Sequence, residues 1–165
     1  MLVPRRIKQY MFHNAVGYST KSHPIAFTAQ ETAAMEHVPG HKLAKTVLLK
    51  ADDRLIMAVL PADRTIRLDK LKSAIGCVSL RLAEEKEFTP SFEYCERGAM
   101  PPFGRLFGLP LYCDELLAGE PEIEFNAGTH TILMSMKFED FRRIESPVML
   151  DFSEKSKGQP MSRSA

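Results

Sequence analysis

The chain has 165 residues, 44% hydrophobic and 26% charged, with a net charge of +1. That is enough for one domain with a hydrophobic core and too short for two typical ones. A near-neutral balance argues against a protein that wraps duplex nucleic acid, because phosphate contacts dominate such binding, and DNA is not an expected partner.

Cys77, Cys95 and Cys113 are odd in number and far apart. No CxxC pair suggests a disulfide framework or a zinc knuckle, so buried, reduced thiols in a cytoplasmic protein are expected. Arg5, Arg6 and Lys8 are not followed by a long apolar run, which argues against a signal peptide. No stretch approaches the ~20 apolar residues that cross a bilayer, so no membrane association is expected.

Ile7, Tyr10 and Met11 have the spacing of a short amphipathic helix. His23-Pro24 interrupts regular structure, and Thr28-Ala29-Gln30-Glu31 has the form of a capping box opening a helix that Pro39-Gly40 closes. Lys45 to Lys50 and Leu55 to Leu60 read as a hairpin across Ala51-Asp52-Asp53. The second strand is apolar on both parities, as a central strand covered on two faces would be. Leu68, Leu71 and Ile75 mark a helix stopped at Gly76. A short strand over Ser79 to Leu82 and a helical turn ending near Pro90 follow.

Cys95 to Pro110 is rich in glycine and proline and reads as a long structured loop, often functional in a small domain. Strands are expected around Leu109 to Cys113, Glu122 to Asn126 and His130 to Met136, then a helix buried through Phe138, Phe141 and Ile144. From Ser153 onward little can be buried, so residues 153–165 are expected to be a mobile tail and 1–152 the domain. Strands and helices in irregular order predict an α+β fold with a mixed sheet.

Three features can carry chemistry. Lys45 shares a strand face with Val47 and Leu49, so it begins an apolar face. It is either a partly desolvated lysine that pulls on an anion or a strand-end lysine reaching into water. His130 shares the parity of Ile132, Met134 and Met136 and is either a satisfied core histidine or a cleft-edge ligand group. Gly98-Ala99-Met100-Pro101-Pro102-Phe103-Gly104 is a stiffened loop whose glycines permit close backbone approach to an ester, or simply a rigid turn. His37 and His41 have metal-pair spacing, but Pro39-Gly40 breaks the helix that spacing requires, and no metal or cofactor is expected. No Gly-x-Ser-x-Gly elbow or Cys–His motif suggests a covalent nucleophile.

An ordered set of segments resembles the YbaK/prolyl-tRNA editing domain family. These are Phe27-Thr28-Ala29-Gln30-Glu31-Thr32, Val38-Pro39-Gly40, Leu43-Ala44-Lys45-Thr46, Val59-Leu60-Pro61-Ala62-Asp63, Ala99-Met100-Pro101-Pro102-Phe103-Gly104 and Phe125-Asn126-Ala127-Gly128-Thr129-His130. The resemblance implies a partly barrel-like sheet flanked by short helices and a freestanding hydrolase that cleaves the ester of mischarged aminoacyl-tRNA, often tRNA for proline carrying a small wrong amino acid. It carries the family's lysine onto Lys45 and its loop glycine onto Gly104, both as catalytic residues. Pro102, Phe103, Asn126, Gly128 and His130 become substrate-binding residues. It implies the tRNA acceptor end as partner, with prolyl-tRNA synthetase as a second one. The resemblance favours the site reading for Lys45 and leaves the two readings of His130 level. A non-catalytic module that binds tRNA ends or a synthetase, and a small-ester hydrolase, are the competing functions.

Overall fold

The computed structural model describes residues 2–156. Helix α1 (Arg5–His13) buries Ile7 and Met11 completely, one turn apart on the same face. β1 (Tyr18–Ser22) follows, exposed at all five positions. The Thr28 hydroxyl accepts from Glu31 N at 3.0 Å to start α2 (Ala29–Met35), while the Glu31 carboxylate reaches Phe27 N, one residue earlier than a capping box requires. β2 (Ala44–Ala51) and β3 (Arg54–Pro61) form the expected hairpin, with Asp52 in the left-handed region at φ 53°.

β4 (Arg64–Ile66) leads into α3 (Leu68–Ile75), which ends on a left-handed Gly76. β5 (Leu80–Leu82), α4 (Glu85–Phe88) and a 3₁₀ turn over Thr89–Phe92 come next, so Pro90 opens a second turn rather than ending the first. The expected loop contains a short helix, α5 (Gly104–Phe107). β6 (Leu111–Asp114), β7 (Glu122–Asn126), β8 (Ile132–Lys137), α6 (Phe138–Glu145), β9 (Val148–Leu150) and β10 (Ser153–Lys155) complete the chain.

The strands make three sheets, ordered β5-β2-β3-β6-β9, β1-β8-β7 and β10-β4. The largest is mixed, since β3, β6 and β9 run parallel and β2 is antiparallel to β3 and β5. A parallel bridge between Leu43, just before β2, and Glu124 of β7 joins it to the second sheet. The α+β expectation holds, but among the described residues the sheets do not close into a barrel.

β3 is central and covered twice. Met57 and Val59 join the main core with Ile7, Met11, Phe103, Phe125 and Phe141. Ile56, Ala58 and Leu60 face the other way, with Leu49, Leu71 and Phe152. Phe152 is fully buried, which alone favours the ordered chain by about 1.5–3 kcal/mol. Its carbonyl accepts from Arg67 N at 2.7 Å and its N–H donates to the Asp114 carboxylate at 3.3 Å. This anchor carries the chain past the expected boundary: Ser153–Lys155 pairs with β4 as an antiparallel strand instead of beginning a tail. The rest of the expected tail, 157–165, lies outside the described residues.

Candidate active site

Lys45 is the second residue of β2, opposite Leu60, on the face that carries Leu49 and α3. It is half-buried, and among the described residues its Nζ donates only one hydrogen bond, a long one of 3.5 Å to the Ala62 carbonyl. Burial pulls the ammonium pKa below the usual lysine value, and the nearby charge of Asp63 offsets part of that fall. The lysine opens on a cavity of about 480 Å³. Thr28, Ala29 and Gln30, where α2 begins, form one wall, with Ala62 at the end of the hairpin. Thr65 of β4, Glu154 of β10 and Ser156 form another. The wall built from β4 and β10 has no signal in the sequence, because each strand is three residues long and one falls in the expected tail.

The loop after Cys95 and the loop after β7 are laced together. Glu96 N donates to the Gly128 carbonyl at 2.8 Å and Gly128 N to the Ala99 carbonyl at 2.9 Å. The Glu96 carboxylate accepts from His130 N at 2.9 Å, and His130 Nε2 lies 2.5 Å from the Arg97 carbonyl. A carbonyl only accepts, so Nε2 carries a proton, and the tautomer with its single proton there leaves Nδ1 as an acceptor. That Nδ1 is buried and has no partner among the described residues. The Phe27 ring packs edge-on against His130 with centroids 5.3 Å apart, and Phe27 directly precedes Thr28 of the cavity wall. Gly98 is the glycine this loop needs beside His130, because its φ of +80° lies in the region that side chains disfavour; the space itself would admit a Cβ in ordinary contact with the ring.

The remaining expected residues have other neighbours. Gly104 is buried with its Cα turned to the start of β6: a Cβ would lie 2.7 Å from the Leu109 carbonyl oxygen and 3.0 Å from Leu111 Cβ. Phe103 is fully buried between Tyr10 and Phe125, with centroids 5.3 Å from each, and Pro102 is also buried. Both Phe103 and Gly104 therefore pack the interior, and neither lines the cavity at Lys45. Gly128, at φ +86°, turns the chain beneath α1, where a Cβ would meet Pro4 Cγ at 2.9 Å. Asn126 Oδ1 is buried without a partner among the described residues. His41 pairs with Glu120 at 2.5 Å rather than with His37. Cys113 is buried as expected, while Cys77 and Cys95 are partly exposed.

A second set of long-range polar contacts supports Gly104 from behind. The Glu145 carboxylate is buried, accepts from Arg105 N at 3.0 Å and takes a short hydrogen bond from Tyr10 Oη. Burial raises its pKa, against the pull of these donors and of Arg105.

The model of the aminoacyl-tRNA editing domain matches residues 23–144, which include every element that lines the cavity except β10 and Ser156. The chain belongs to this family. The editing domain is 36% identical over 98 residues to the multifunctional Ser/Thr-tRNA deacylase ProXp-y of Escherichia coli K12, covering 59% of this chain and 58% of the relative. It is 35% identical over 69 residues to proline–tRNA ligase of Thermosipho africanus, covering 42% of this chain and 12% of that ligase. The chain thus spans well under two thirds of the length of these relatives. Among solved structures, a candidate trans-editing enzyme for prolyl tRNA synthetase superposes with a TM-score of 0.78 at 23% identity, covering 91% of this chain and 96% of that one. The hypothetical protein APE2540 superposes with a TM-score of 0.81 at 19% identity, covering 91% and 100%. These likenesses establish the fold as that of the editing domains. Among the described residues no helix is long and apolar enough to cross a membrane.

Proposed function

We propose that this editing domain is a hydrolase that cleaves the ester between a wrong amino acid and the 3′ end of tRNA. The observation that carries the reading is Lys45, a half-desolvated cation with unused donors at the wall of a cavity in a chain of this family. A lysine so placed attracts the terminal nucleotide's phosphate or the ester carbonyl more strongly than one in water does. An aminoacyl ester is already activated, so a positioned water and a polarised carbonyl suffice, without a covalent intermediate. The unpartnered Nδ1 of His130 supplies an acceptor for a substrate hydroxyl or that water, and Gly98 beside it offers the close backbone approach that the sequence suggested for the glycines of this loop.

The finer reading is tRNA for proline carrying a small amino acid, gripped at the acceptor end in the cytoplasm. The Escherichia coli relative is named for Ser and Thr, which favours small side chains, and the proline–tRNA ligases favour the proline system. The experiment is a panel of tRNAs mischarged with Ala, Cys, Ser and Thr. Release of one or more of them at rates well above spontaneous hydrolysis is expected. Tight binding without turnover of any would replace the hydrolase with a non-catalytic module that holds tRNA ends.

A further inference from the structure

The cavity at Lys45 has a charged residue at each of two walls, and they are of opposite sign. Among the described residues that line it, only Lys45 and Glu154 are ionic; the others are Thr28, Ala29, Gln30, Ala62, Thr65 and Ser156. Glu154 stands opposite Thr65 in the antiparallel pair of β10 and β4, so both side chains project from one face of that ribbon. The substrate class has the same polarity. An aminoacyl-adenosine carries its phosphate on one side of the ester and the α-ammonium on the other.

Glu154 has acceptor capacity to spare. Among the described residues its one ionic neighbour, Arg67, is 3.9 Å away, and that guanidinium is already committed to Asp69 by two hydrogen bonds of 3.2 and 2.6 Å. Beside it, the Ser156 Oγ is buried with no partner among the described residues, while Ser156 N is pinned to the Asp63 carbonyl at 3.1 Å. A carboxylate with free lone pairs and an unused hydroxyl, facing one cavity, are the groups that take an ammonium.

We propose that Glu154, assisted by Ser156, receives the α-ammonium of the esterified amino acid, while Lys45 holds the anionic side of the same substrate. The inference rests on the hydrolase reading and adds a specificity-determining residue from the C-terminal strand. It makes the domain selective for a free amino group: an N-blocked aminoacyl-tRNA presents no cation to Glu154 and leaves its carboxylate facing a neutral amide.

The test uses the mischarged tRNA that the wild type clears fastest and the same tRNA after N-acetylation of the amino acid. Single-turnover deacylation of both is measured for the wild type, Glu154→Gln, Glu154→Asp and Ser156→Ala. Taking the ratio of the two rates in each variant relative to the wild type cancels the different intrinsic lability of the two esters. Glu154→Gln should lower the preference for the free amine by about tenfold, the scale of one charge-assisted hydrogen bond, with thermal stability unchanged. Glu154→Asp should restore part of it, and Ser156→Ala should give a smaller loss in the same direction. A Glu154→Gln protein with the wild-type preference, or one that slows both esters equally, overturns the assignment and leaves the hydrolase reading standing. A wild type that clears no mischarged tRNA overturns both.

Discussion

Gly104 separates packing from chemistry most sharply. Its missing Cβ would approach the Leu109 oxygen about 0.7 Å closer than ordinary contact at 3.4 Å, and Leu111 Cβ about 0.4 Å closer. The Leu109 atom is backbone and cannot swing aside. It belongs to the turn in which Leu109 N donates to the Gly104 carbonyl at 2.8 Å, leading into β6. Gly104→Ala must therefore shift α5 or the start of β6, an overpacking cost of about 1–3 kcal/mol. In a domain of this size that corresponds to a loss of roughly 2–12 °C in Tm. Gly104→Val adds two further methyl groups in the same direction and should cost more. The backbone φ at Gly104 is not in the left-handed region, so conformational strain adds nothing. Thermal and urea melts should be run beside deacylation per folded molecule, at a temperature where both variants remain native. The expected result is a lowered midpoint with turnover reduced only modestly. A wild-type melt combined with a large loss of turnover would refute the packing account and return Gly104 to the site.

Lys45→Ala should lower turnover by at least about tenfold, or ~1.4 kcal/mol of transition-state stabilisation, with little change in the melt; full activity on every mischarged tRNA would remove it from the mechanism. Because its folded pKa is depressed, Lys45 disfavours the fold at neutral pH, and that penalty is relieved as pH rises towards the ordinary lysine value, so Lys45→Met should gain less stability, or lose more, than the wild type on alkalinisation, measured as urea midpoints. Glu145 works in the opposite direction: its folded pKa is raised, so its contribution is complete below the ordinary carboxyl value and is lost as pH rises through the folded one. Glu145→Gln should then lose less stability between mildly acidic and neutral pH than the wild type, measured as urea midpoints across that range; a parallel curve would contradict the burial. The slope of log affinity against log salt for tRNA should be shallow, about −1 to −3. Arg64, Arg67 and Lys70, basic residues near the site, are already engaged by Ser153, Asp69 and Asp151, which leaves few free cations for phosphates; a slope near −6 with no binding of an acceptor-stem minihelix would refute end recognition.

What the sequence determined by itself is what short-range physics controls. The periodicity of Ile7 and Met11, the Thr28 cap, the hairpin turn across Asp52, the helix stop at Gly76 and the two-sided apolar run of β3 each depend on neighbours within a turn or a hairpin, and each formed where expected. The inward parity of Lys45 was legible for the same reason. Tertiary structure decided the rest. β1 is exposed at every position and carries no alternation, while β4, β9 and β10 are too short for a period; all four exist because distant strands offer hydrogen bonds. Glycine composition marked the Gly98–Gly104 loop, but only the fold shows that Gly98 stands beside His130 while Gly104 fills a gap against Leu109. Glu154 faces the Lys45 cavity through the burial of one phenylalanine, Phe152, and the pairing of its strand with β4, more than a hundred residues beyond the lysine it stands across from. Such an arrangement is set by packing between remote segments, and no local pattern in the chain encodes it.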